Sequence, residues 1–300
     1  MSDVTPRQSS SAVTESSESL RTLARELIST CPPSLGSEIA LTGSAARGTA
    51  DRYSDLELNF WADEVPPQAE RAEWLWAAGA TDLALDFETI SDGTIWSTIR
   101  WRGVWIEAGW QTVGRLEEAL SLVLAGATTD HHLLLLPWML GRALPLRTRG
   151  SLESWRQSVS RYPDGLSERL IESAIAGWLW PHWVATHWAL VARGESLALA
   201  RALVDDACAA LRVLFAVNRE WEADWKWARS EAPRLERQPD RLLDRLDAIF
   251  GADDPAWRIA TCLELILDIL ALAPPSESVD RAREVVGACL AEGPPPGRKP

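Results

Sequence analysis

The 300-residue sequence predicts an α+β protein: an N-terminal mixed β-sheet domain with flanking helices, followed by a C-terminal all-α helical bundle domain. Two observations carry this expectation. Runs with period-two alternation, such as "SDLELNFW" and "GVWIEAGW", are confined to the first 112 residues, whereas from Thr112 onward almost every segment repeats its apolar residues at helical spacing. A hydrophobic fraction of 46% is enough to give two such domains cores of their own.

The elements follow in order. Residues 1–18, polar and serine-rich with no apolar stretch, are expected to form a disordered leader. "SLRTLARELIS" (19–29) reads as a helix that stops before Pro32 and Pro33. "EIALTG" then reads as a short buried strand, "SAARG" as the opening of a helix, and "SDLELNFW" as a second strand. After a helix near 67–78 come "LALDFETI", "TIWSTIRW" and "GVWIEAGWQT", separated by the turn signals "SDG" and "RG", for a sheet of about five strands. "GRALPLRTRG" (141–150) breaks the pattern and is expected to hold the boundary between domains at 19–145 and 146–292. Helices are expected near 150–160, 166–193, 196–217, 221–231, 238–249, 254–272 and 276–291, with Pro181 kinking or splitting the second of them. Residues 293–300 read as a disordered tail.

Composition narrows the function. A net charge of −13 excludes general nucleic-acid binding, which needs clustered cations, and favours a cationic small molecule. Cys31, Cys208, Cys262 and Cys289 are scattered without metal-ligand spacing, which fits a reducing cytoplasm. The apolar runs fall short of the roughly 20 residues that a membrane span requires. No membrane contact is expected.

The chemistry concentrates in "LTGSAARGTADRYSDLELNF" (41–60). Gly43 and Ser44 at the mouth of a helix offer backbone N–H groups, a hydroxyl and the positive end of a helix dipole, which suit phosphate oxygens. On the next strand Asp55 and Glu57 are two apart and point to the same face, while Leu56 and Leu58 point to the other. Mg²⁺ prefers such oxygen ligands together with substrate phosphates, so the implied ligand is Mg²⁺–NTP. A third carboxylate would complete a two-metal site. Glu107 is the expected one, on a strand whose Val104, Ile106, Ala108 and Trp110 face the core while Trp105, Glu107 and Gly109 face outward; Asp86 and Glu88 are its rivals.

The pattern G43-S44-x-x-R47-G48 followed by S54-D55-x-E57 resembles the nucleotidyltransferase superfamily that includes DNA polymerase β and the antibiotic nucleotidyltransferases. Asp-x-Glu and the later "WIEAGW" are similar to the aminoglycoside (kanamycin) nucleotidyltransferases, over residues 36–115. "YPDGL" and "LFAVNREWEADWKW" are similar to nucleotidyltransferase-like bacterial proteins. The resemblance implies metal-dependent transfer of a nucleoside monophosphate from an NTP, with ATP as the expected donor, to a small-molecule acceptor. It implies Asp55, Glu57 and Glu107 as metal ligands, with Glu107 or a helical-domain acid such as Glu172 as the base. Gly43, Ser44, Arg47 and Ser54 fall in the nucleotide-binding motif, and a homodimer is a further implication. An acceptor that is tRNA or protein, or a regulator that binds nucleotide without turnover, stay open.

Other features have separate readings. Of the 30 basic residues only Lys226 and Lys299 are lysines, so Lys226 is a candidate phosphate contact, with Asn218 and Arg219 near it. The 17 tryptophans read mainly as packing, with a stacking wall for a ring-containing acceptor as the functional alternative. Trp180, Trp183 and His187 share a helical face, with the histidine as a packing partner. His131 and His132 follow the cap signal Thr129-Asp130. Arg142, Arg147, Arg149, Arg156 and Arg161 read as a solvated linker face, with contacts to phosphates or to first-domain carboxylates as the alternative.

Overall fold

A computed structural model describes residues 13–88, 92–180 and 182–292. Most of the leader, the tail and Pro181 lie outside the described residues. The chain forms two compact units, one running to Val123 together with 136–161, the other made of 124–135 and the chain from Tyr162.

The first unit is built on a six-stranded mixed sheet: β1 (Glu38–Leu41), β2 (Leu56–Ala62), β3 (Thr81–Glu88), β4 (Ile95–Trp101), β5 (Val104–Thr112) and β6 (Leu144–Arg147), in the order β3-β4-β5-β2-β1-β6. Only β2 and β5 pair in parallel; the other neighbours are antiparallel. The β4–β5 register is set by the two-residue turn Arg102-Gly103, both at positive φ (49° and 82°), which is the backbone that a twisted hairpin requires. One face of the sheet buries Leu56, Leu58, Phe60, Ile106, Ala108 and Trp110 in a core shared with α1 (Glu15–Ser29) and α3 (Gln68–Ala77). Phe60 stacks on Trp110 at 4.0 Å between ring centres, and Trp74 of α3 meets both edge-on.

Three expectations are corrected here. The helix expected from residue 19 starts at Glu15, because Thr14 caps it by accepting the Ser17 amide at 3.1 Å, and the Ser17 hydroxyl accepts the Ala50 amide at 2.9 Å. Thr14 and Ser17, within the expected leader, are thus a cap and a clasp. The boundary segment 141–150 contains β6, which raises the strand count from five to six and pairs with β1. Arg147, read as a solvated linker residue, donates to the carbonyls of Cys31 (2.6 Å), Pro32 (3.0 Å) and Gly36 (3.1 Å).

Helix α6 (Ser151–Val159) is tied to the sheet by Trp155, edge-on to Trp61 of β2 at 5.4 Å, and by one buried carboxylate. Glu38, 1% exposed at the start of β1, accepts the backbone amides of Arg149 (2.7 Å), Ser151 (3.3 Å) and Leu152 (3.2 Å) and the Thr148 hydroxyl (2.6 Å). A buried carboxylate at a helix N-terminus satisfies the donors that the helix leaves open and meets its positive end.

In the second unit α9 (Ser196–Val217) packs against α7 (Leu166–Ile175), α8 (Trp183–Arg193), α11 (Leu242–Gly251) and α12 (Pro255–Leu272), and α13 (Glu277–Glu292) packs against α7 and α12. The helix expected over 166–193, with a kink or split at Pro181, is divided: a 3-10 turn (Ala176–Leu179) follows α7, and α8 begins at Trp183. The helix expected over 221–231 is reduced to a 3-10 turn (Trp225–Trp227) and a four-residue α10 (Ala228–Glu231). One backbone conformation and one buried carboxylate explain this. Arg219 takes a left-handed conformation (φ 53°), and Glu222 turns inward, 2% exposed, to bind Arg212 (2.6 Å) and His131 (2.8 Å).

Asp206 organises the centre of this unit. Its Oδ1 accepts both indole N–H groups of Trp178 and Trp183 at 3.1 Å, and its Oδ2 lies 2.8 Å from His187 Nε2. Trp180, expected beside them, is instead 63% exposed. His187 Nδ1 lies 3.1 Å from the Trp183 carbonyl, so both ring nitrogens face acceptors, an arrangement that the imidazolium satisfies. Burial opposes the charge, but the hydrogen bond and charge of Asp206 outweigh it and raise the pKa above the ordinary histidine value of 6.5.

Two outcomes follow from these contacts. Glu38→Ala should cost roughly 2–4 kcal/mol in urea unfolding, since it leaves several buried donors unmet. The His187 contribution to stability is complete below the unfolded pKa near 6.5 and is lost as pH rises through the raised folded value. Unfolding free energy measured across that window should therefore fall with pH in the wild type and fall less in His187→Gln.

Candidate active site

The site grows out of the crossing from β1 to β2. β1 ends at Leu41, and the five-residue helix α2 (Gly43–Arg47) starts two residues later. The Thr42 amide donates to the Glu57 carbonyl at 2.9 Å, and the Asn59 side chain donates to the Thr42 hydroxyl at 2.8 Å. The turn is thereby fixed to β2. Gly43 is required twice over: its φ is +65°, and a Cβ there would sit 2.6 Å from both carboxylate oxygens of Glu57. The Gly-Ser turn and the Glu57 carboxylate are in direct juxtaposition. Arg21 of α1 secures the far end of α2 by donating to the Ala45 and Ala46 carbonyls, both at 2.9 Å.

The parallel register supplies the second half. Leu56 pairs with Ile106, Glu57 with Glu107 and Leu58 with Ala108. Leu56, Leu58, Ile106 and Ala108 are buried in the core, so the side chains of Glu57 and Glu107 rise together from the opposite face. One residue ahead of the first paired positions stand Asp55, half-buried, and Trp105, 46% exposed. Asp55, Glu57 and Glu107 therefore belong to one face of two adjacent strands.

The other expected residues are placed less uniformly. Ser44 is 4% exposed, and its carbonyl accepts the Thr49 amide at 3.0 Å. The Arg47 guanidinium lies 4.8 Å from the ring centre of Trp138, over which Arg142 also lies at 5.3 Å. Ser54 is engaged in the loop before β2, accepting the Asp51 amide at 2.9 Å and donating to the Asp51 carboxylate at 3.1 Å. Asp86 is separated from the site by its ion pair with buried Arg71 of α3 at 2.8 Å; the side chain of Glu88 lies outside the described residues. Lys226 belongs to the second unit, with its Nζ 3.8 Å from Asp224. Asn218 bridges locally to Leu214 and Arg237, Arg219 pairs with Asp164 at 2.9 Å, and Glu172 is exposed on α7. Asp130 caps the helix α5 (His131–Arg142) through the His132 and Leu133 amides.

Sequence alone does not single out Thr42, which is bonded to the Glu57 carbonyl and to Asn59, nor Asn59, Trp96 and Thr98, which share the sheet face of Glu57 and Glu107. For the last three the signal is the alternation of β2 and β4 on the face away from the core, and it becomes legible only once the pairing of β4 with β5 is known.

Among the described residues no group of three histidine, cysteine or carboxylate side chains is gathered to hold a metal ion, and no helix is long and apolar enough to cross a membrane. No protein-family model and no curated protein matches the chain. Among solved structures, a nucleotidyltransferase-like protein from Exiguobacterium sibiricum 255-15 aligns over 91% of this chain and 74% of its own, with 11% identity and a TM-score of 0.34. Overlap at that level leaves the site resting on its own geometry.

Gly43→Ala should lower stability by about 1–2 kcal/mol, because alanine must adopt a left-handed backbone and also displace the Glu57 carboxylate. Urea unfolding measures the loss. Unchanged stability would contradict the close contact between turn and carboxylate.

Proposed function

We propose that the chain is a nucleotidyltransferase that moves a nucleoside monophosphate, AMP from ATP as first choice, to a hydroxyl of a small molecule and releases pyrophosphate. The observation that carries this reading is the pairing of Glu57 with Glu107 on the sheet face away from the core, with Gly43 packed against the Glu57 carboxylate.

The amides of the Gly43-Ser44 turn suit the terminal phosphates. Asp55 and Glu57 supply hard oxygen ligands of the kind Mg²⁺ uses together with substrate phosphates. When bound, the ion would neutralise charge that develops on the phosphate oxygens. Glu107 takes the proton as the acceptor oxygen bonds to the α-phosphorus and the bond from that phosphorus to the pyrophosphate oxygen breaks. Most of the rate gain comes from in-line positioning. The acidic surface, with a net charge of −13, favours a cationic acceptor such as an aminoglycoside-like antibiotic or a natural-product intermediate.

The test is pyrophosphate release with Mg²⁺ and each NTP against a panel of aminoglycosides, nucleosides, amino acids and bulk tRNA. Asp55→Asn and Glu57→Gln should fold and lose turnover by about a hundredfold or more. Full turnover in the double variant would refute the assignment, and nucleotide binding without release under any condition would favour a regulator.

A further inference from the structure

Beside the carboxylates the open face carries a second constellation. Along β5, Glu107 has Trp105 two positions before it and Gly109 two positions after it, all on the face away from the core. Gly109 makes room for a neighbouring indole: a Cβ there would lie 3.2 Å from Trp96 Cη2 and 3.0 Å from Asn59 Oδ1. Trp96, half-buried, thus lies over Gly109. Thr98 pairs directly opposite Glu107. At about 3.3 Å per residue, the two tryptophans stand roughly 13 Å apart along the strand, with the carboxylate and the hydroxyl between them.

Their position relative to the turn matters. In the strand order β4-β5-β2-β1 the Gly-Ser turn lies on the β1 side of Glu57, and the tryptophans lie on the β5–β4 side. In an in-line displacement the attacking and leaving oxygens sit on opposite sides of the phosphorus. With the leaving phosphates at the turn, the β5–β4 side is left to the acceptor.

We propose that Trp105 and Trp96 bracket a ring-shaped polyol acceptor, a sugar or cyclitol, whose hydroxyl edge meets Glu107 and Thr98. The inference rests on the transferase reading and names the acceptor side of that site. A cyclic polyol presents apolar C–H faces and a rim of hydroxyls. The indoles suit the faces, and the carboxylate and threonine suit the rim. The 46% exposure of Trp105 leaves a large apolar ring open beside Glu107 and Thr98. Arg100, whose guanidinium carbon is 5.5 Å from the Trp105 ring centre, orients that ring from the neighbouring strand.

Calorimetric titration of the nucleotide-free protein with myo-inositol, methyl glucoside and kanamycin, with sorbitol as the acyclic control, tests the bracket directly. At least one ring compound should bind more tightly than sorbitol. Trp105→Ala, at a half-exposed position, should keep the wild-type melting temperature and weaken that binding about tenfold, with a smaller loss in Trp96→Phe. The proposal is overturned if no ring compound binds better than sorbitol, or if Trp105→Ala binds the ring as tightly as the wild type. Asp55-dependent pyrophosphate release with an unchanged acceptor KM in Trp105→Ala would remove the bracket and leave the transferase. Ring binding lost in Trp105→Ala, without any Asp55-dependent release, would keep the bracket and remove the transferase.

Discussion

The parallel pairing of β2 with β5, in the one register that sets Glu57 beside Glu107, is the constraint on which the rest of this site depends. Side chains alternate along a strand, so a slip of one residue would turn Glu57 or Glu107 into the core and bring leucine or alanine to the open face. Burial prevents it. Leu56, Leu58, Ile106 and Ala108 are all but inaccessible, and moving any pair to the surface would expose apolar area and bury charge. The core that holds the sheet together is therefore also what aims the carboxylates.

Around that pairing the chain adds devices that each fix one edge. The Arg102-Gly103 turn fixes β4 on β5, which places Thr98 across from Glu107 and Trp96 over Gly109. The Thr42 amide and the Asn59 side chain fix the Gly-Ser turn on β2, and the missing side chain of Gly43 lets the Glu57 carboxylate approach. Arg21 and Ser17 of α1 fasten the far side of the turn. Glu38 joins β1 to α6 by a buried carboxylate that serves structure alone. Acids that look alike in sequence thus divide by surroundings: Glu38 is enclosed by amides, Asp86 is paired with Arg71, and Glu57 and Glu107 share the open face.

Much of this was legible in the sequence, and the parts that were not share a physical cause. The strand, turn, helix and strand of residues 38–62 announce themselves because alternation and the Gly-Ser signal are local. Alternation alone left Asp86 and Glu88 as rivals of Glu107, and the pairing of β2 with β5 is what sets Glu107 beside Glu57. β6 was missed because "LPLR" is only four residues long, contains a proline and is held as a strand by its partner β1. The start of α1 was missed because Thr14 and Ser17 act through contacts with residues 48–50, which composition does not reveal. The collapse of the helix expected over 221–231 depends on Glu222 finding Arg212 and His131, again a distant contact. The two tryptophans beside Glu107 were individually visible, but their relation to it is a matter of register between strands.

The measurement that bears most directly on the central claim is calorimetric binding of ATP with and without Mg²⁺, in the wild type and in the Asp55→Asn/Glu57→Gln double variant. If the open face of β2 and β5 seats a metal-bound triphosphate, wild-type binding should require Mg²⁺ and the double variant should lose it while keeping its melting temperature. Equally tight binding in the double variant, or binding indifferent to Mg²⁺, would contradict the account.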